Sequence, residues 1–212
     1  MINVDRNVVA APSVVNNYRT PEILAALGIV FLDKCYLCEK KLPHANFFQV
    51  DHFIPKNEDP DLEFEWSNLY LCCIECNGTR TKSTPAGGYL DPCNIVDDVE
   101  DEIVYSLPAY EYNEPLFTPR LVDPSDKTKN AIIQLKRMHY GGTAVAKIKC
   151  AAFREVISKR ATKLISKIAE EKKAIIEGNN ILANQRAQEI ENMIKNDAPF
   201  TMLMRNLEER MR

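Results

Sequence analysis

The chain has 212 residues, enough for one domain or one domain with a helical appendage, and its 45% hydrophobic and 27% charged residues are an ordinary globular balance. No apolar run is long enough for a membrane-spanning helix, and Met1–Arg6 offers neither the basic leader nor the apolar core of a secretion signal, so a cytoplasmic protein with no membrane partner is expected. The net charge of −3 conceals two unequal parts: residues 126–212 hold 18 Lys and Arg against 10 Asp and Glu, whereas the first 125 hold 9 against 20, which points to two surfaces with different partners or to a helix with a solvated basic face.

Residues 1–20 read as an irregular arm. Pro21 and Glu22 open a short helix through about Gly28, and residues 29–34 lead to the first cysteine. Phe47 to His52 and Asn68 to Cys73 are rich in aromatic and β-preferring residues and read as short strands, with the loop Pro55–Pro60 between them. A short helix is expected over Ile74 to Lys82. Residues 84–124 form a loop-rich connection punctuated by Pro85, Gly87, Gly88, Pro92, Pro108, Pro115, Pro119 and Pro124.

From residue 125 the pattern turns helical. Ser125 is placed to cap a helix with an apolar face of Ile132, Ile133 and Leu135, broken at Gly141-Gly142. A second helix reaches Glu177 with a stripe of Ile157, Ala161, Leu164, Ile168 and Ile175, Gly178-Asn179-Asn180 ends it, and shorter helices finish the chain. The divisions are therefore an arm and short helix at 1–34, a core at 35–83, the connection at 84–124 and a helical region at 125–212. Pro199-Phe200-Thr201-Met202-Leu203-Met204 is an apolar patch with adaptable methionines, so part of the helical region is expected to dock a protein partner, with burial in the chain's own core as the competing reading.

Five of the seven cysteines fall between residues 35 and 76, as Cys35-Tyr-Leu-Cys38 and Cys72-Cys73-Ile-Glu-Cys76. In a reducing compartment they argue against a disulfide framework. Two residues between thiolates let both reach one ion from a tight turn, and two such pairs complete the closed tetrahedral shell of structural zinc, which leaves no position for chemistry. The spacing favours Cys35, Cys38, Cys73 and Cys76 as ligands; Cys72 is an alternative to Cys73, and Cys93 and Cys150 read as small buried residues.

The clamp encloses "VDHFIPK", residues 50–56, where Asp51 directly precedes His52, and "WSNLYLCCIECNGTRTKS", which contains Ser67, Asn68 and Asn77. Imidazole titrates near neutrality and suits deprotonation of water, while Asp51 and Asn77 offer hard oxygen ligands that suit Mg2+ or Mn2+. Without the cysteines the pair would more simply be an acid and an imidazole hydrogen-bonded at a strand end. Arg80 and Lys82 follow Asn77 and are candidates for phosphate contact, or equally for surface solubility. His44 and His139 have no comparable context.

The order Cys-x-x-Cys, Asp-His, Asn, Cys-x-x-Cys-Asn over residues 35–83 resembles the HNH endonucleases. That resemblance implies an α+β fold: a zinc-clamped ββα-metal core with a mainly helical C-terminal region. It implies His52 as general base, Asp51 and Asn77 as ligands of the catalytic divalent ion, and Asn68 as the residue that orients the base. Ser67 stands where the family often has Asp. "DPDLEFEWSNL", "CNGTR" and "LDPC" are further similar to the HNH subunit of Septu-type phage-defence systems, a kind of subunit that also accompanies certain retrons beside an ABC-like ATPase. The resemblance implies DNA and such an ATPase as partners, with a retron RNA–DNA assembly as a further one. Three other readings stay open: a zinc-stabilised nucleic-acid-binding module without cleavage, a structural adaptor, and a stand-alone restriction nuclease. No helix-turn-helix or other specificity module is recognisable, which favours targeting by a partner.

Overall fold

Thr20 accepts a hydrogen bond from the Ile23 amide, and Pro21 starts helix α1, Pro21–Val30, without wasting an amide. The helix runs past Gly28, its expected end. Gly28 is needed for a close approach instead, since a Cβ there would lie 3.0 Å from the Phe48 ring and 2.9 Å from the Asp33 carboxylate. The reversal is made by Leu32 and Asp33, both left-handed at φ 54° and 51°. This computed structural model describes residues 1–107, 116–141 and 143–212; Pro108, Pro115 and Gly142, expected in the connection and the helix break, lie outside the described residues.

Strands β1, Gln49–His52, and β2, Leu69–Cys72, pair antiparallel with Asp51 opposite Tyr70 and His52 opposite Leu69. Helix α2, Ile74–Thr79, follows at once and completes a ββα unit. Both strands are shorter than their sequence pattern suggests. Phe47 and Asn68 are each spent in a turn of 3-10 helix. All four residues of β2 are buried, with Tyr70 against Phe31, Tyr36 and Phe53.

The connection carries more structure than its prolines suggested. It contains helix α3, Val99–Glu102, and a second antiparallel ladder of β3, Ile103–Ser106, and β4, Leu116–Pro119. Pro119 sits at the strand's last position, where its missing donor costs little.

Helix α4, Asp126–Tyr140, starts at the Ser125 cap and stops at Gly141, φ 70°. Ala131, Ile132, Leu135 and Met138 face inward, while Ile133, a hundred degrees round the helix, is exposed. Helix α5, Ala144–Ile176, packs against α4 and against α6, Asn180–Ile194, and α7, Thr201–Met211. Ile157, Ala161, Leu164 and Ile168 are buried as expected; towards the end the buried face rotates to Glu171 and Ala174, leaving Ile175 exposed.

The terminal apolar patch is interior. Phe200, Met202, Leu203 and Met204 are buried, and α7 is fastened to the turn behind Cys38: Met202 donates its amide to Glu39 Oε2 at 3.1 Å, and Lys34 Nζ donates to Thr201 Oγ1 at 3.0 Å. These residues fill the chain's own core, so truncation after Ala198 would open that core instead of removing a docking patch.

His139 is buried among Tyr105, Phe117 and Phe153. Burial pushes its imidazole down to about 3 from an ordinary 6.5. The unfolded chain therefore binds a proton that the folded chain refuses, and this contribution to stability is lost as pH falls from 6.5 towards 3. Replacing His139 with Leu is expected to shrink the drop in urea midpoint between pH 7.5 and pH 5.5, measured against the unaltered protein.

Candidate active site and metal centre

The four cysteines come from two turns. Cys35 and Cys38 lie in the loop behind α1; Cys73 caps α2 through its Sγ, which accepts the Cys76 amide at 3.4 Å, and Cys76 sits in the first turn. The four Sγ atoms all lie within 4.8 Å of one another, with Cys38 and Cys73 3.9 Å apart. A tetrahedral ion with bonds of about 2.3 Å to sulfur places sulfurs roughly 3.8 Å from each other. Donor set and spacing therefore fit a metal clamp.

Cys72 lies beside this cluster, its Sγ 3.7 Å from that of Cys35. It closes β2 and stands outside the group of four thiols that lie within 4.8 Å of one another. That group includes Cys73, the residue the spacing favoured.

His52 ends β1 with its ring beside Tyr18, edge to face at a centroid distance of 4.7 Å. Its Nε2 is 2.9 Å from the backbone carbonyl of Glu63. A carbonyl only accepts, so Nε2 carries the proton, and neutral imidazole keeps its lone pair on Nδ1. The local fold thus selects the tautomer of His52.

Asn68 secures the loop that supplies this carbonyl. Its Oδ1 accepts the Ile54 amide at 2.7 Å, and its Nδ2 donates to the carbonyls of Ile54 at 2.9 Å and Leu62 at 3.1 Å. Both ends of the 54–62 loop are held by one buried amide next to Glu63, a placement that suits an orienting residue.

Asp51 alternates to the other side of β1 and is buried. Its Oδ2 accepts from Tyr36 Oη at 2.6 Å and from Arg80 Nη1 at 2.7 Å. Oδ1 makes no hydrogen bond among the described residues and is not sealed from solvent. Burial raises the Asp51 carboxyl, against the pull of Arg80 and Tyr36. Asn77, half-buried in α2, has its amide group free of hydrogen bonds among the described residues.

Arg80 is placed differently from the phosphate contact anticipated for it. It leaves α2 as the helix ends, three residues before the expected Lys82, and its guanidinium turns inward to Asp51 and to the carbonyls of His52 and Phe53. It ties the helix to the strand that carries both candidate site residues. Lys82 is exposed. Replacing Arg80 with Met would strand the buried Asp51 carboxylate and is expected to cost about 3–5 kcal/mol in chemical denaturation. Lys at this position should restore little, since a point cation cannot make the forked contacts.

Sequence reasoning missed Tyr18, Tyr36 and Glu63. Glu63 acts on His52 through its carbonyl, which no side-chain pattern announces, and Tyr18 arrives from an arm with no periodicity. Tyr36, inside the first cysteine pair, was legible only as a spacer.

Among known proteins, residues 35–83 match the family described as HNH endonuclease. A stretch of 61 residues is 38% identical to the Septu protein PtuB of Bacillus thuringiensis, covering 28% of this chain and 24% of that protein. The match spans about a quarter of the relative's length. No solved structure matches significantly. The thiol cluster, the His52 contact with Glu63 and the family match coincide on one segment: residues 35–83 are similar to the HNH endonuclease family, in a chain that resembles Septu PtuB over part of its length.

Proposed function

We propose that the protein is a metal-dependent DNA endonuclease that hydrolyses phosphodiester bonds as the effector of an antiphage defence complex. The observation that carries this reading is the His52 tautomer, fixed by the Glu63 carbonyl inside the HNH segment. His52 Nδ1 takes a proton from water, and the imidazolium formed keeps its Nε2–H on Glu63. Asp51 and Asn77 carry the hard side-chain oxygens that would hold a divalent ion, Mg2+ or Mn2+. Such an ion, when bound, supplies positive charge against the phosphoryl and leaving oxygens. Tyr36 and Arg80 hold Oδ2 of Asp51, so the fold sets the direction of the carboxylate. Asn68 keeps the base-orienting loop in place, and zinc in the four-cysteine clamp would join the two turns on which the ββα unit rests.

The likeness to a Septu protein motivates the partner assignment: an ABC-like ATPase that brings the nuclease to its DNA, in a Septu-type or retron-containing assembly, in the cytoplasm. The exposed parts of α4 and α5, with Ile133, Val145 and Ile148, are candidates for that contact.

A Mn2+ titration of plasmid nicking, with and without the ATPase, tests the ligand assignment. Asn77→Ala is expected to need about tenfold more Mn2+ for half-maximal nicking, with partial recovery at saturation. An unchanged Mn2+ requirement would remove Asn77 from the ligand set.

A further inference from the structure

The Asp51, His52 and Asn77 assignments leave unexplained a closed ring of contacts around the base. His52 packs edge-on against Tyr18, and Lys56 Nζ lies 5.8 Å from the centre of the same Tyr18 ring. Lys56 Nζ donates to Glu63 Oε1 at 2.7 Å, and the carbonyl of that same Glu63 accepts from His52. Tyr18 therefore sits between the imidazole and an ammonium, and Glu63 touches both through different atoms.

The arm is strapped down where it matters. Arg6 donates to the carbonyls of Trp66 at 3.1 Å and Leu69 at 2.8 Å, and its guanidinium lies 4.4 Å from the Tyr70 ring centre. Tyr18 itself stands two residues before the Thr20 cap of α1. Held at both ends, the arm presents the Tyr18 ring as a fixed wall beside His52.

Lys56 differs from the cations around it. Arg80 and Arg6 spend their donors on the interior, whereas the Lys56 side chain is 51% exposed beside the base. Its hydrogen bond to the Glu63 carboxylate raises its pKa. An ammonium has three donors and can keep Glu63 while turning another to an incoming anion.

We propose that Tyr18 and Lys56 form the substrate-facing rim of the His52 site: Tyr18 is a positioning residue that limits rotation of the imidazole, and Lys56 meets a DNA phosphate next to the one cleaved. The proposal rests on the endonuclease reading of His52.

The test uses the full chain with Tyr18→Ala, Tyr18→Phe, Lys56→Ala and Lys56→Arg, each first checked for zinc content and circular dichroism. Plasmid nicking is followed in the presence of Mn2+ and the ATPase, together with binding of a fluorescent DNA duplex across salt concentrations. Tyr18→Ala is expected to lower kcat about tenfold with KM little changed, and Tyr18→Phe, which keeps the ring, to restore it. Lys56→Ala is expected to raise KM and to reduce the log–log salt slope of duplex binding by about one, with Lys56→Arg close to the unaltered protein.

An activity-free readout accompanies these. The His52 Nε2–H resonance should persist in Tyr18→Phe and vanish by solvent exchange in Tyr18→Ala. A Tyr18→Ala protein with full kcat and a protected Nε2–H overturns the positioning role, and a Lys56→Ala protein with an unchanged salt slope overturns the phosphate contact. If the unaltered protein fails to nick DNA, the endonuclease reading falls, while the imidazole resonance and the salt slope still decide whether the rim exists.

Discussion

His52→Ala is expected to lower plasmid nicking by about 10^2–10^4-fold while zinc content is unchanged and the thermal midpoint falls by only a few degrees. The separation follows from where the residue stands. His52 lies at the open end of β1, half-buried, and is not one of the four clustered cysteines. Its removal costs one hydrogen bond to the Glu63 carbonyl and an edge contact with Tyr18, while Asn68 still holds the loop. What disappears is the Nδ1 lone pair. Loss of activity accompanied by loss of zinc would mean that the histidine serves the fold, and nicking at the full rate would remove His52 as the base.

Cys38→Ser is expected to have the largest effect on stability. The two turns that meet at the thiols join the loop behind α1 to the start of α2, and structural zinc of this kind contributes on the order of 10 kcal/mol to folding. Losing one thiolate forfeits much of that, more than most domains have in reserve. The damage should spread, because Glu39, directly after Cys38, accepts the Met202 amide and anchors α7. Insoluble or zinc-free protein is the expected outcome by metal analysis and thermal denaturation. Cys72→Ala is the matched control: it leaves a small cavity in β2 but keeps one zinc per chain. Equal zinc loss in both variants would show that Cys72 shares the coordination.

What the sequence disclosed was the chemistry carried by short spacings. A pair of thiols two residues apart and an acid beside an imidazole announce themselves, because their geometry is set within a turn or a strand end. The stripe along α5 was equally plain, since four of its five members follow a helical period and are buried. Long-range pairing was hidden. Arg80 read as a surface cation because its partner, Asp51, lies 29 residues earlier, and only the fold brings the two within 2.7 Å. The β3–β4 ladder hid behind prolines, since two short strands at the edge of a loop-rich stretch carry almost no periodic signal. Phe200 to Met204 looked like a docking patch because an apolar segment has the same composition whether a partner or the chain's own core covers it; Lys34, Glu39 and the N-terminal turn of α7 decided for the core.

The proposed function is cleavage of DNA by residues 35–83 with a base and a divalent ion. Conversion of supercoiled plasmid to nicked circles by the unaltered protein, alone and with the ATPase, in Mg2+ or Mn2+ and then in excess chelator, tests it most directly. The expected result is nicking that requires the added ion, stops with chelator before zinc is lost from the clamp, and returns when Mn2+ is restored. Nicking unchanged by chelator, or none under any of these conditions from folded, zinc-loaded protein, would contradict it.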